Sequence, residues 1–141
     1  MMSMQFAQLA DYLESKPSTR EPVQIGVLPG TWINSNPDSS SIARLEISES
    51  EGKLLVRGFA IGAEGLVDWG VTAASVFTDG PSSRTAAGFT CVFEFGFAET
   101  RIQGMIMKGL LVLAEFHLFK DQSGRSGYFL REYFALNHGR Y

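Results

Sequence analysis

Leu110-Leu-Val-Leu-Ala-Glu-Phe-His-Leu-Phe-Lys120, then Asp121-Gln-Ser-Gly-Arg-Ser-Gly127, then Tyr128-Phe-Leu-Arg-Glu-Tyr-Phe-Ala-Leu136 is the stretch whose reading decides the fold. Two arms rich in aliphatic, aromatic and β-branched residues flank a polar loop holding Gly124 and Gly127, which reads as an antiparallel hairpin. The arms are short, aromatic-rich and bounded by glycine, which argues for strands over helices where periodicity alone cannot.

Upstream, the same pattern repeats. Gly30–Asn34 starts the first strand, a Ser/Asn/Pro/Asp loop covers 35–41, and Ala43, Leu45 and Ile47 alternate with Arg44, Glu46 and Ser48. Turns at Glu49–Gly52 and Ala63–Gly65 bound a strand over Lys53–Gly62. In Leu66–Thr78, alternation predicts one face of Val67, Trp69, Val71, Ala73 and Phe77, opposite Asp68, Thr72 and Thr78. After a loop at 79–83, Ala87–Ala98 puts Phe89, Cys91, Phe93, Phe95 and Phe97 on one face, with a tight turn expected at Glu99-Thr100. Ile102, Gly104 and Ile106 then alternate with polar residues and Met before a turn at Lys108-Gly109.

Eight strands with turn signals about every 8–12 residues describe an all-β sandwich or barrel. No connection is long enough for a helical crossover, so successive strands pair as hairpins, and eight of them close without an exposed edge. Glycines within the strands, at 58, 70, 88, 96 and 104, suit the bends of a barrel. The expected fold is an eight-stranded antiparallel up-and-down β-barrel, with a β-sandwich as the alternative. Met4, Leu9, Tyr12 and Leu13 predict a short helix within residues 1–16, stopped at Lys16-Pro17. Residues 17–29 read as an extended approach segment, 30–136 as the barrel domain and 137–141 as a tail.

With 141 residues, 45% of them hydrophobic, the chain suffices for one domain that buries about two thirds of its unfolded surface. Its single cysteine, Cys91, has no intrachain partner, which points to a reducing compartment. With neither a basic-then-apolar leader nor about 18 consecutive apolar residues, a cytoplasmic location is expected. A formal net charge of -3 without a basic block argues against nucleic acid and membrane as partners.

Gly30-Thr31-Trp32, opening a short barrel, resembles the calycin superfamily of lipocalins, fatty-acid-binding proteins and avidins. In lipocalins this Trp sits at the closed barrel end under an Arg from the last strand. The resemblance therefore implies a guanidinium of Arg131, or else Arg125, over Trp32. An avidin-like biotin site is disfavoured, because such sites surround the ligand with several tryptophans and this chain has two. Across most of residues 30–134 the chain also looks like a group of uncharacterised small bacterial β-proteins. Ser41-Ile-Ala-Arg44, Asp68-Trp69-Gly70 and Asp121-Gln-Ser-Gly-Arg125 carry that likeness, with Val67 where a Cys sometimes stands. It implies no activity.

Several ionisable residues lie within the strands: Arg57, Asp68, Glu94, Glu115, His117, Arg131 and Glu132. Strand parity puts Glu115 and His117 on one face, and Glu132 with Tyr128 and Phe134 on one face of the partner strand, with Arg131 opposite. The reading favoured for the set is an outward, solvated face with cross-strand ion pairs, ahead of an interior cluster that orients a ligand head group. Asp121–Arg125 reads first as a turn and second as an anion-binding loop. His117, His138 and Cys91 lack metal-ligand spacing, and no cofactor motif is present.

The leading expectation is a non-enzymatic binding protein that holds a small, largely apolar ligand in the barrel mouth. Trp69, Phe93, Phe95 and Phe116 are its candidate lining, with Arg57, Glu115 and His117 beside them. The alternative is a filled barrel acting as an interaction or homo-oligomerisation module, since Leu54, Val56, Leu110, Val112, Phe116 and Leu118 make some strands apolar on both faces. A small enzyme using Glu115 and His117 comes third, for want of a nucleophile or oxyanion donor.

Overall fold

The computed structural model describes residues 23–138. Its strands are β1 (Gly30–Asn34), β2 (Ile42–Ser50), β3 (Lys53–Gly62), β4 (Gly65–Thr78), β5 (Ala86–Glu94), β6 (Ala98–Met107), β7 (Leu110–Phe119) and β8 (Tyr128–Asn137). They form a closed antiparallel barrel in sequence order. Closure is made by β1 against β8, with Thr31 opposite Asn137 and Asn34 opposite Phe134. That pairing removes the sandwich alternative. The helix expected within 1–16 lies outside the described residues, and Asn137, expected in the tail, belongs to β8.

Two-residue turns set the register at one barrel end. Glu51-Gly52 and Lys108-Gly109 carry positive φ at both positions, 53° and 79° in each case, and join Ser50 to Lys53 and Met107 to Leu110. Their twist matches that of the flanking strands. The same end is closed by residues 23–29, expected to be merely extended. Leu28 and Ile25 are buried in the core, and Gln24 bridges to Thr85.

Trp32 is 2% exposed, and its indole Nε1–H donates to the Leu28 carbonyl at 2.9 Å. Around it pack Leu45, Ile47, Leu54, Val56, Phe89, Leu111, Leu113 and Phe134, the inward residues of successive strands. Cys91 lies in the same core, and burial pushes its thiol up to about 12, so it stays protonated.

Two sequence expectations fail for local backbone reasons. The turn between β5 and β6 is Phe95-Gly96-Phe97, where the Phe95 amide donates to the Ala98 carbonyl; Glu99 and Thr100 lie within β6. In β4 the pairing steps from Gly58–Gly70 to Phe59–Asp68, leaving Trp69 as the extra residue of a β-bulge at Gly70, whose φ is 83°. The extra residue reverses strand parity. Trp69 therefore packs on the core with Ala74 and Val76, while Val71, Ala73 and Phe77 face outward; Val67, before the bulge, pairs with inward-facing Ala60 and is exposed at the barrel end.

Candidate functional site

The loops β1–β2, β3–β4, β5–β6 and β7–β8 gather at the other barrel end, where the interior changes character. Trp69 meets Phe93 and Phe95 with ring centroids 5.4 and 5.0 Å away, the second edge-on. Gly58 makes room for this group, since a Cβ there would lie 3.2 Å from Trp69 and 3.3 Å from Phe93. Phe93 is buried, whereas Trp69 and Phe95 are half-buried, so aromatic surface reaches the mouth.

A polar cluster stands beside the rings. Phe93 pairs across to Thr100, Thr100 to His117, and His117 to Tyr128. The Thr100 hydroxyl lies 2.9 Å from His117 Nδ1, and His117 Nε2 lies 3.4 Å from Glu115 Oε1. These distances suit a tautomer in which Nδ1 accepts from the hydroxyl and Nε2–H faces the carboxylate. The imidazole stacks on Tyr128 at 4.6 Å. Glu115 is 0% exposed, and its Oε1 accepts from the Ser41 hydroxyl at 2.6 Å. Glu132, on neighbouring β8, accepts from Asn34 Nδ2 at 2.9 Å, and the same amide donates to the Ile42 carbonyl.

Glu115 Oε2 and Glu132 Oε1 are both buried and have no fixed donor. Burial pushes the Glu115 carboxyl upward, against the hydrogen bonds from His117 and Ser41, and neighbouring Glu132 adds to the rise. For Glu132 burial also acts upward, but hydrogen bonds from Glu115, Ser39 and Asn34 outweigh it and hold this carboxyl low. One proton held by Glu115 and offered to Glu132 accounts for both oxygens, as expected for two carboxylates that cannot both ionise at close range.

The interior thus holds Glu115, His117 and Glu132, overturning for them the favoured reading of an outward, solvated face. That reading does describe Arg57 and Asp68, which form an exposed bidentate pair. Asp68 also caps the Gly70 amide, and its carboxyl is lowered to about 2 by the Arg57 hydrogen bond first and that amide second. Arg57 therefore does not join Glu115 and His117. Phe116 departs as well, pointing outward with its ring stacked 6.1 Å from Phe129. The two border an open groove of about 500 Å³ on the outer face of β6–β8, whose lining also includes Arg101, Gln103 and Leu118.

Among the described residues no guanidinium covers Trp32 in the way the resemblance implied. Arg131 is exposed opposite Ala114, its parity opposed to that of core residue Phe134. Arg125 lies over Phe119 at 4.0 Å and bonds to Asp121 at 2.7 Å, while the Ser123 amide caps Asp121. These bonds fit the turn reading of 121–125. Sequence reasoning missed Asn34, Ser39, Ser41 and Thr100. Thr100 had been assigned to a turn, and the two serines lie in a loop without parity.

Among the described residues, no group of three or more His, Cys, Asp and Glu is arranged to hold a metal ion, and no helix is long and apolar enough to cross a membrane. Comparisons with protein-family models, curated proteins and solved structures find no match.

Proposed function

We propose that this chain is a non-enzymatic binding protein of calycin-like form that receives a small ligand at the loop end of its barrel. The ligand's apolar body rests on Trp69, Phe93 and Phe95, and its polar head turns toward Glu115, His117 and Thr100. One observation carries this reading: only at this end does the aliphatic core give way to half-buried aromatic rings beside a buried, hydrogen-bonded polar cluster. Burying such groups costs stability that apolar residues would not cost, which favours a role in recognition.

Tryptophan fluorescence tests it, because Trp32 is sealed at the far end and Trp69 stands at the mouth. Titration with a fatty acid, a retinoid and a hydrophobic dye should quench or shift the emission for at least one probe, and Trp69→Phe should abolish that response. No response to any of them, with no dye taken up by the folded protein, would sink the proposal.

A second reading rests on the outer wall. Phe116, Leu118, Phe129 and Tyr133 on β7 and β8, with Met105 and Met107 on β6, are exposed apolar residues on adjoining strands. Such a face suits a homo-oligomer contact.

A further inference from the structure

We infer that the polar end of this site selects a protonated amine attached to a small aromatic or apolar body, an inference that rests on the binding function proposed above. Three observations carry it.

The first is a shortage of donors. Glu115, fully buried, and Glu132, half-buried beside it, each keep a buried oxygen that no other side chain reaches as a donor, so the two oxygens share a single proton. Ser41, His117 and Asn34 are already committed to the other oxygens of the pair, and Ser39 also hydrogen-bonds to Glu132.

The second is charge. Among the described residues no Lys or Arg side chain reaches these carboxylates. At this end of the barrel, Arg57 pairs with Asp68, Arg101 with Glu99, Lys120 with Glu94 and Glu99, and Arg125 with Asp121; Arg44 lies over Phe59. Arg131 points outward. The interior therefore repels a carboxylate or phosphate head and attracts a cation.

The third is the half-buried aromatic surface of Trp69 and Phe95 at the same barrel end, suited to an ammonium's apolar body.

An ammonium supplies several N–H donors at once, enough for both of the oxygens that otherwise share one proton. When it binds, the proton shared by Glu115 and Glu132 is released to solvent. One cation enters and one proton leaves, so the site's net charge is conserved. Binding is therefore tighter at higher pH, over the range where the pair holds that proton. The groups facing the pair are His117 from β7, Tyr128 from β8, and the neutral Asn34, Ser39, Ser41 and Thr100.

Calorimetric titration with 2-phenylethylamine, 2-phenylethanol and 3-phenylpropionate tests the inference. The amine should bind at least tenfold more tightly than the alcohol and the carboxylate not measurably. In buffers of different ionisation enthalpy, amine binding should release a proton. Glu132→Gln should erase the preference for amine over alcohol. The wild-type comparison decides the matter even if that variant folds poorly. Equal affinity for amine and alcohol, preference for the carboxylate, or a preference that survives Glu132→Gln overturns the inference. Dye binding with no response to any of the three overturns it while leaving the binding function standing; no binding of dye or probes removes both.

Discussion

Trp32 and Glu115 are both buried, yet they act on stability in opposite ways. Trp32 is the largest fully buried side chain described, with its one polar group bonded to Leu28. Trp32→Ala should therefore cost about 3–5 kcal/mol, a large share of a domain's stability, measured by urea denaturation. A loss under about 1 kcal/mol would show that the closed end is not held by this packing. Glu115 works through protons. Its raised carboxyl keeps in the folded state a proton that the unfolded chain releases. Stability should thus fall as pH rises from the ordinary Glu value of about 4.3 toward the raised folded value. Glu132, held low, contributes in the other sense: its share is present above the ordinary value and is lost as pH falls through its folded pKa. In Glu115→Gln the decline on the alkaline side should disappear. Parallel pH profiles for the variant and the wild type would contradict a proton retained by Glu115.

At the level of elements, two glycines separate local backbone strain from crowding between strands. Gly70 sits in the β4 bulge at φ 83° with open space where a Cβ would go. Gly70→Ala should cost about 1–2 kcal/mol, the left-handed backbone penalty alone. Gly88 on β5 has no such φ, but a Cβ there would stand 2.4 Å from the Gly104 carbonyl oxygen on β6. Backbone cannot swing aside as a side chain can, so Gly88→Ala forces two strands of a closed barrel apart and should cost more than Gly70→Ala. Denaturation midpoints of the two variants provide the comparison, and the reverse order would show that β5 and β6 yield easily.

The whole molecule meets its surroundings through an apolar wall. Phe129 is 66% exposed and its neighbour across the strands, Phe116, is 37% exposed. On the second reading of function, sedimentation at tens of micromolar, an order-of-magnitude choice suited to ordinary subunit contacts, should show a homo-oligomer. Phe129→Glu should return it to a monomer without loss of fold. A wild-type monomer at that concentration counts against the reading and leaves the ligand site untouched.

Hairpin arms, turns at Glu51-Gly52 and Lys108-Gly109, and the shared face of Glu115 and His117 were legible in the sequence, because alternation with period two and turn chemistry are local properties. Closure of eight strands followed from their number and short connections. Parity could say which residues share a face, but not that the face carrying two carboxylates and an imidazole turns inward, since polarity alone argues for water. That was decided by partners far away in the chain: Ser41 reaches Glu115 across 74 positions, and Asn34 reaches Glu132 across 98. The bulge at Trp69 likewise reversed the facing of β4 through a single extra residue that leaves no mark in the hydrophobic pattern. The sequence by itself determined the strands and their turns. Only the tertiary structure decided which polar groups are buried, because a buried charge is tolerated only where distant segments bring hydrogen bonds to it.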